Sequence, residues 1–327
     1  MGNKPFLLRP SGKDYLWGGK RLNDEFAKNI DMQPLAETWE CSTHPDGECY
    51  AASGSFEGMT LAEIIRQNPH FVGTHPKTKG ELPIIVKFID AKTDLSVQVH
   101  PDDEYAFANE NGQSGKSEMW YVLDSAKDAH LIYGLHHDTT KQQLRKSIAD
   151  GTVEKYMNKV RIKKGDVFYV NSGTVHAIGA GALIAEIQQN SNLTYRLYDY
   201  DRVDKNGQKR RLHIEKALDV ANLSGVQSPR QPLRVTGYSV GCAVELLCRC
   251  RYFQVSRMII NTERCRQMAH FCSDSLSFRV LLCVDGCGTM YFCGETLSIF
   301  KGDCVFVPAD SEQIKIHGIV QFLDVRC

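Results

Sequence analysis

The chain has 327 residues, with 39 acidic and 39 basic side chains and a formal net charge of zero. That balance leaves no overall field to draw the protein to nucleic acid or an anionic membrane, so any anion site has to be local. The length exceeds what one hydrophobic core usually organises, and two domains are expected. The longest apolar runs, such as FRVLLCV, fall well short of a membrane span. The opening MGNKPFLLRP lacks the apolar stretch of an export signal, so a cytoplasmic location is expected. Ten of the 12 cysteines lie between Cys242 and Cys327 without a CxxC pair, and they read as reduced thiols rather than disulfides or a thiolate metal site.

In chain order, LAEIIRQNPHFVG from Leu61 has helical spacing and predicts a short helix ended at Pro69. Six strand-like runs follow between Leu82 and Gln189: LPIIVKFIDA, DLSVQVH, EMWYVLD, AHLIYGL, DVFYVN and GALIAEIQQ. They are rich in β-branched and aromatic residues and bounded by Gly, Asp, Asn and Pro, the rhythm of a barrel or jelly roll. TTKQQLRKSIADGTVEKYM, from Thr139 to Met157, predicts a helix within this series, and HIEKALDVANL from His213 predicts another. SGVQSPRQPLRVTGYS then reads as a linker, which places the division between domains 1–225 and 226–327.

Beyond Gly237 the strands return and echo the first half. KKGDVFYVNSGTVHAIG and FKGDCVFVPADSEQIKIHG align Gly165 with Gly302, Asn171 with Pro308 and His176 with Gln313; EMWYVLD and RVLLCVD align Glu118 with Arg279 and Asp124 with Asp285. Two jelly rolls in tandem are expected, and the second lacks metal-binding residues at the aligned places. Chemistry is therefore expected in the first.

There, Ser96, Gln98 and His100 alternate with Val97 and Val99 ahead of Pro101. Alternate strand residues share a face and lie roughly 6.5 Å apart, close enough to converge on one ion. Alone, the triplet reads as the wet face of an amphipathic strand. Glu118, which opens another strand, and His176, which follows the NSGT turn, complete a set of two imidazoles, a carboxylate and an amide oxygen suited to zinc or another borderline divalent metal. His44, His136, His137 and His213 have ordinary turn, loop or helix-opening explanations. Lys116 shares the face of Glu118, Glu186 interrupts the apolar run ALIAEIQQ, and Arg196 lies in TYRLYDYD. Each could be a surface ion pair, but a Glu flanked by Ala185 and Ile187 is harder to place there. Facing inwards, it would have a raised pKa useful for proton transfer.

The ordered segments KDYLWGG, LAETWECSTHPDG, LPIIVKFIDA, LSVQVHPDD, GKSEMWYVLD, SGTVHAIG and AEIQQNSNLTYRLYDYDR resemble the type I phosphomannose isomerases in their short bacterial form. The resemblance implies a mainly β fold of tandem cupin-like jelly-roll barrels with a few helices inserted in or flanking the first. It implies one zinc ion per chain on Gln98, His100, Glu118 and His176, an active-site Arg196, Ser96 and Lys116 around the sugar phosphate, and Glu186 at the place of a proposed proton-transferring base. Asn171 stands where cupin-type barrels commonly have Pro, and the cysteine-rich tail is atypical. The function implied is interconversion of mannose 6-phosphate and fructose 6-phosphate, with a small sugar phosphate as the partner. A sugar-binding or regulatory bicupin without turnover is the alternative, and a cupin dioxygenase or epimerase is a third possibility that Gln98 weighs against.

Overall fold

The computed structural model describes residues 3–203, 206–226, 230–232 and 234–327. Its architecture is mainly β, two jelly-roll barrels side by side with short helices around the first. The first barrel has two facing sheets. A six-stranded sheet runs in the order Val167–Val170, Glu118–Ser125, Ala182–Gln189, Ile84–Ala91, Glu37–Cys41 and Ser11–Lys13. A five-stranded sheet runs Tyr195–Tyr198, Val97–Val99, His176–Ile178, His130–Leu135 and Met157–Arg161.

The six-stranded sheet explains why its strands are almost continuously apolar. Trp120, Val122, Ile184 and Ile89 point into the first barrel and pack with Phe168 and Leu131. Met119, Tyr121, Leu183, Ala185, Val86 and Phe88 point the other way and join a core shared with the second barrel. A sheet covered on both faces has no wet side to keep polar. Lys87 and Glu186 are exceptions, buried on the inward face.

A 10-stranded sheet forms the second barrel around Arg279–Phe292 and Ile314–Arg326, two long paired strands. Their alternation divides two cores: Val280, Leu282, Leu323 and Val325 face the first barrel, while Leu281, Cys283 and Phe322 fill the second. Strand Phe6–Arg9 pairs with Cys304–Val307, and Tyr50–Ala51 pairs with Phe6–Arg9, so segments from the first 51 residues extend the C-terminal sheet. Gln227, Ser228, Pro229 and Leu233 of the expected linker lie outside the described residues.

The internal echo has a structural counterpart. Gly165 and Gly302 both have positive φ, 89° and 102°. In each copy the following Asp accepts from the backbone N–H three residues earlier, Lys163 to Asp166 and Phe300 to Asp303. Val170 pairs with Glu118 and Val307 with Arg279 at corresponding registers. Where the first copy has Glu118, the second has Arg279 in a buried ion pair with Asp324.

Three helical expectations change in detail. The segment from Thr139 forms only Lys141–Ala149, because Gly151 turns at φ 65° and a 3-10 turn at Val153–Tyr156 leads into the strand from Met157. Leu61–Gln67 begins with a capping box between Thr60 and Glu63, and Pro69 then opens a separate 3-10 turn. The helix after His213 spans Ile214–Val220. Asp103–Asn109, capped by Asp102, is a helix the sequence reading did not anticipate.

Candidate active site

Two rows of residues, one from each sheet, build the site. Across the six-stranded sheet the register aligns Phe168, Trp120, Glu186, Lys87 and Trp39. Across the five-stranded sheet it aligns Arg196, Gln98, His176 and Tyr133. Side chains at such cross-strand neighbours meet on one face of a sheet. His100 follows directly after Val97–Val99, and Glu118 opens its strand.

Ligand atoms of His100, Glu118 and His176 all lie within 4.8 Å of one another. Glu118 Oε2 is 3.5 Å from His100 Nε2, and Oε1 is 3.4 Å from His176 Nε2. Gln98 completes the group, its Nε2 3.4 Å from His176 Nε2. His176 Nδ1 lies 2.8 Å from the Thr174 carbonyl, to which it donates, leaving the Nε2 lone pair towards Glu118. Fixing one imidazole nitrogen by a backbone carbonyl is how proteins orient a metal-ligating histidine.

The electrostatics fit a cation. Both nitrogens of His100 and both oxygens of Glu118 are buried without a hydrogen-bond partner. Burial, reinforced by Lys116, pushes His100 down to about 3, and burial lowers His176, so both imidazoles are neutral donors of a lone pair. Burial opposes ionisation of Glu118 most, but its neighbours, Lys116 first and then His100 and His176, together outweigh it and hold the carboxyl well below its usual value. Its Nζ sits 3.0 Å from Glu118 Oε2. A buried carboxylate with unsatisfied oxygens beside two neutral imidazoles is a donor set that a divalent cation satisfies.

Above this group opens a polar cavity of about 240 Å³ lined by Ser96, Gln98, Lys116, Glu186 and Arg196, among others. The structure therefore brings together the eight site residues singled out from the sequence, three of them, His100, Glu118 and His176, buried beside the cavity and the other five on its walls. A larger surface cleft of 820 Å³ beside Arg21 and Asp124 contains none of them.

Glu186 is oriented on both sides. Trp120 Nε1 donates to its Oε2 at 2.9 Å, and Lys87 Nζ lies 3.3 Å from Oε1. Burial and then the negative charge of Glu118 raise its pKa, against the pull of Lys87. Lys87 keeps its proton: burial opposes the charge, but Glu37, Glu186 and Glu118 outweigh it. Arg196 projects a buried Nε without a partner, close to Arg210 and His213.

Glu37, Lys87, Arg210 and His213 also line the cavity, and the sequence reading missed or set aside all four. A signal existed for Lys87, a lone lysine inside the apolar run IIVKFI. His213 opens a helix, as expected, yet its ring reaches the cavity as well.

The family model "Phosphomannose isomerase type I, catalytic domain" matches residues 6–127, and "Mannose-6-phosphate isomerase, cupin domain" matches residues 245–326. A mannose-6-phosphate isomerase of Bacillus subtilis is 37% identical over 326 residues, covering 98% of each chain. This chain belongs to the type I phosphomannose isomerases. A Streptococcus mutans mannose-6-phosphate isomerase is 41% identical over 220 residues, 67% of this chain and 68% of that one. The crystal structure of the mannose 6-phosphate isomerase from Bacillus subtilis superposes with a TM-score of 0.89 at 35% identity, covering 99% of both chains. As a phosphomannose isomerase the protein is an aldose–ketose isomerase that interconverts mannose 6-phosphate and fructose 6-phosphate, and its two barrels are cupins.

Proposed function

We propose that Gln98, through its amide oxygen, with His100, Glu118 and His176, holds one zinc ion per chain, and that the walls above it carry out the proton transfer. The convergence of unsatisfied Glu118 and His100 atoms on one point supports this reading. A structural neighbour at 16% identity is described as a zinc-bound mannose 6-phosphate isomerase. Zinc, when bound, supplies Lewis acidity that favours negative charge on the sugar oxygens of the enediolate.

The residues do the rest. Glu186 removes the carbon-bound proton from one of C1 and C2 and returns it to the other. Its raised pKa suits a group that must both accept and release a proton. Trp120 and Lys87 keep its carboxylate in one orientation across the cavity. Lys116, beside Glu118, faces the reacting oxygens, while Arg196, with its planar fork, takes anionic oxygens of the phosphate. Ser96, buried on the cavity wall, contacts the sugar phosphate. The division at 225/226 belongs to this proposal, with the first unit carrying the chemistry and the second free of metal; a cytoplasmic location is its setting.

Glu186→Gln tests the assignment directly. It should stop exchange of the C2 proton with solvent deuterium while bound zinc, measured by elemental analysis, stays at the wild-type level. Retained exchange would exclude Glu186 as the base.

A further inference from the structure

Lys116 and Glu118 lie at the end of a coil, 113–117, that leads into the Glu118–Ser125 strand. What fixes that coil determines where both side chains sit. Ser117 N–H donates to Gln189 Oε1 at 2.8 Å, and Gln189 N–H donates back to the Ser117 carbonyl at 3.1 Å. Gln189 Nε2 in turn donates to Asp103 Oδ1 at 2.9 Å, which settles which way its amide faces. The same Asp103 oxygen accepts the Gly115 N–H at 3.0 Å. Gly115 is required for this approach, since a Cβ there would stand 2.3 Å from the Asp102 carbonyl carbon.

Asp103 Oδ2 accepts a third bond, from the Tyr252 hydroxyl at 3.1 Å. Tyr252 belongs to the second barrel, in the turn between strands Cys242–Arg249 and Gln254–Asn261. A continuous series of hydrogen bonds thus runs from the second barrel through Asp103 and Gln189 to the backbone between Lys116 and Glu118. The second barrel has no metal-type residue of its own at the aligned places. We infer that Asp103 is a positioning residue for Lys116 and Glu118, and that Tyr252 holds it, so the metal-free barrel acts on the site by bracing the 113–117 coil.

The inference rests on Lys116 and Glu118 serving the reaction, but the exchange measurement in its test does not. Asp103→Ala and Tyr252→Phe would be compared with wild type by hydrogen–deuterium exchange of the peptide spanning 113–118 and by steady-state kinetics on mannose 6-phosphate. Loss of a charge-assisted acceptor and displacement of reacting groups by a fraction of an ångström predict about tenfold faster exchange in Asp103→Ala, and a fall in kcat of about tenfold or more. Tyr252→Phe, which leaves Asp103 in place, should show both effects at a few-fold. Asp103→Asn keeps one acceptor oxygen and should recover most of the protection and of kcat. Exchange and kcat within twofold of wild type in both Asp103→Ala and Tyr252→Phe would overturn the inference. So would a lowered Tm with unchanged exchange and kinetics, which marks a purely structural contact. Should the wild type lack turnover altogether, the isomerase reading fails, whereas unchanged exchange at 113–118 fails the positioning reading alone.

Discussion

At the scale of single residues, the site depends on where charge is left uncompensated. Glu118 is ionised in a buried place because Lys116 and the two imidazoles together outweigh burial, and apart from the ion pair with Lys116 its oxygens have no hydrogen-bond partner. The proposed function gives Lys116 two duties, supporting the carboxylate and facing the substrate from the cavity wall. Lys116→Ala separates them. If the ammonium faces the reacting oxygens, kcat should fall by about a hundredfold with KM changed only a few-fold. A rise in KM with kcat kept would place Lys116 on the phosphate instead. Glu186 shows the limit of reading a residue alone: its setting between Ala185 and Ile187 marks it as inward-facing, but its pairing with Lys87 and Trp120 depends on strands far apart in sequence.

At the scale of elements, register decides chemistry. A one-residue slip of Ala182–Gln189 would send Glu186 to the outer face and bring Ala185 or Ile187 to the cavity. The two copies of the barrel use the same register to different ends. In the second, Arg279 occupies the place of Glu118 and donates to both oxygens of Asp324 at 2.9 and 2.8 Å across two paired strands, with Arg326 adding two bonds to Oδ2 at 3.1 and 2.8 Å. Burial disfavours the Asp324 charge, but Arg279 and Arg326 outweigh it and lower its pKa below the ordinary 3.8. A carboxyl lowered in the folded state contributes stability above its unfolded pKa and loses it as pH falls through the folded value. Urea unfolding followed from about pH 5 to about pH 3 should show a steeper loss in wild type than in Asp324→Asn, which starts lower by about 3 kcal/mol. Equal slopes would show that the pair adds nothing to acid sensitivity.

At the scale of the whole molecule, the sheet series and the repeat were legible in the sequence because β-branched runs and Gly-Asp turns are local signals. The grouping of His100, Glu118 and His176, with Gln98 beside them, was legible as well, since alternation along a strand and a known family pattern both point to these residues. Glu37, Arg210 and the cavity role of His213 were not, because each becomes meaningful only when distant strands and loops meet around the cavity. The pairing of Phe6–Arg9 with Cys304–Val307 escaped for the same reason: nothing in FLLR names a partner almost 300 residues away. The shared core across the six-stranded sheet makes the two barrels one packed body, which lets Tyr252 reach the first barrel's Asp103. Whether Gln98, His100, Glu118 and His176 hold the zinc on which isomerisation depends is decided by a coupled assay on mannose 6-phosphate after chelation and stepwise zinc addition. Activity should vanish with chelator and return in proportion to bound zinc, levelling at one ion per chain, and a His100→Ala variant should neither bind that ion nor recover. Full turnover in metal-free protein, or recovery in His100→Ala equal to wild type, would rule out a zinc requirement at these residues.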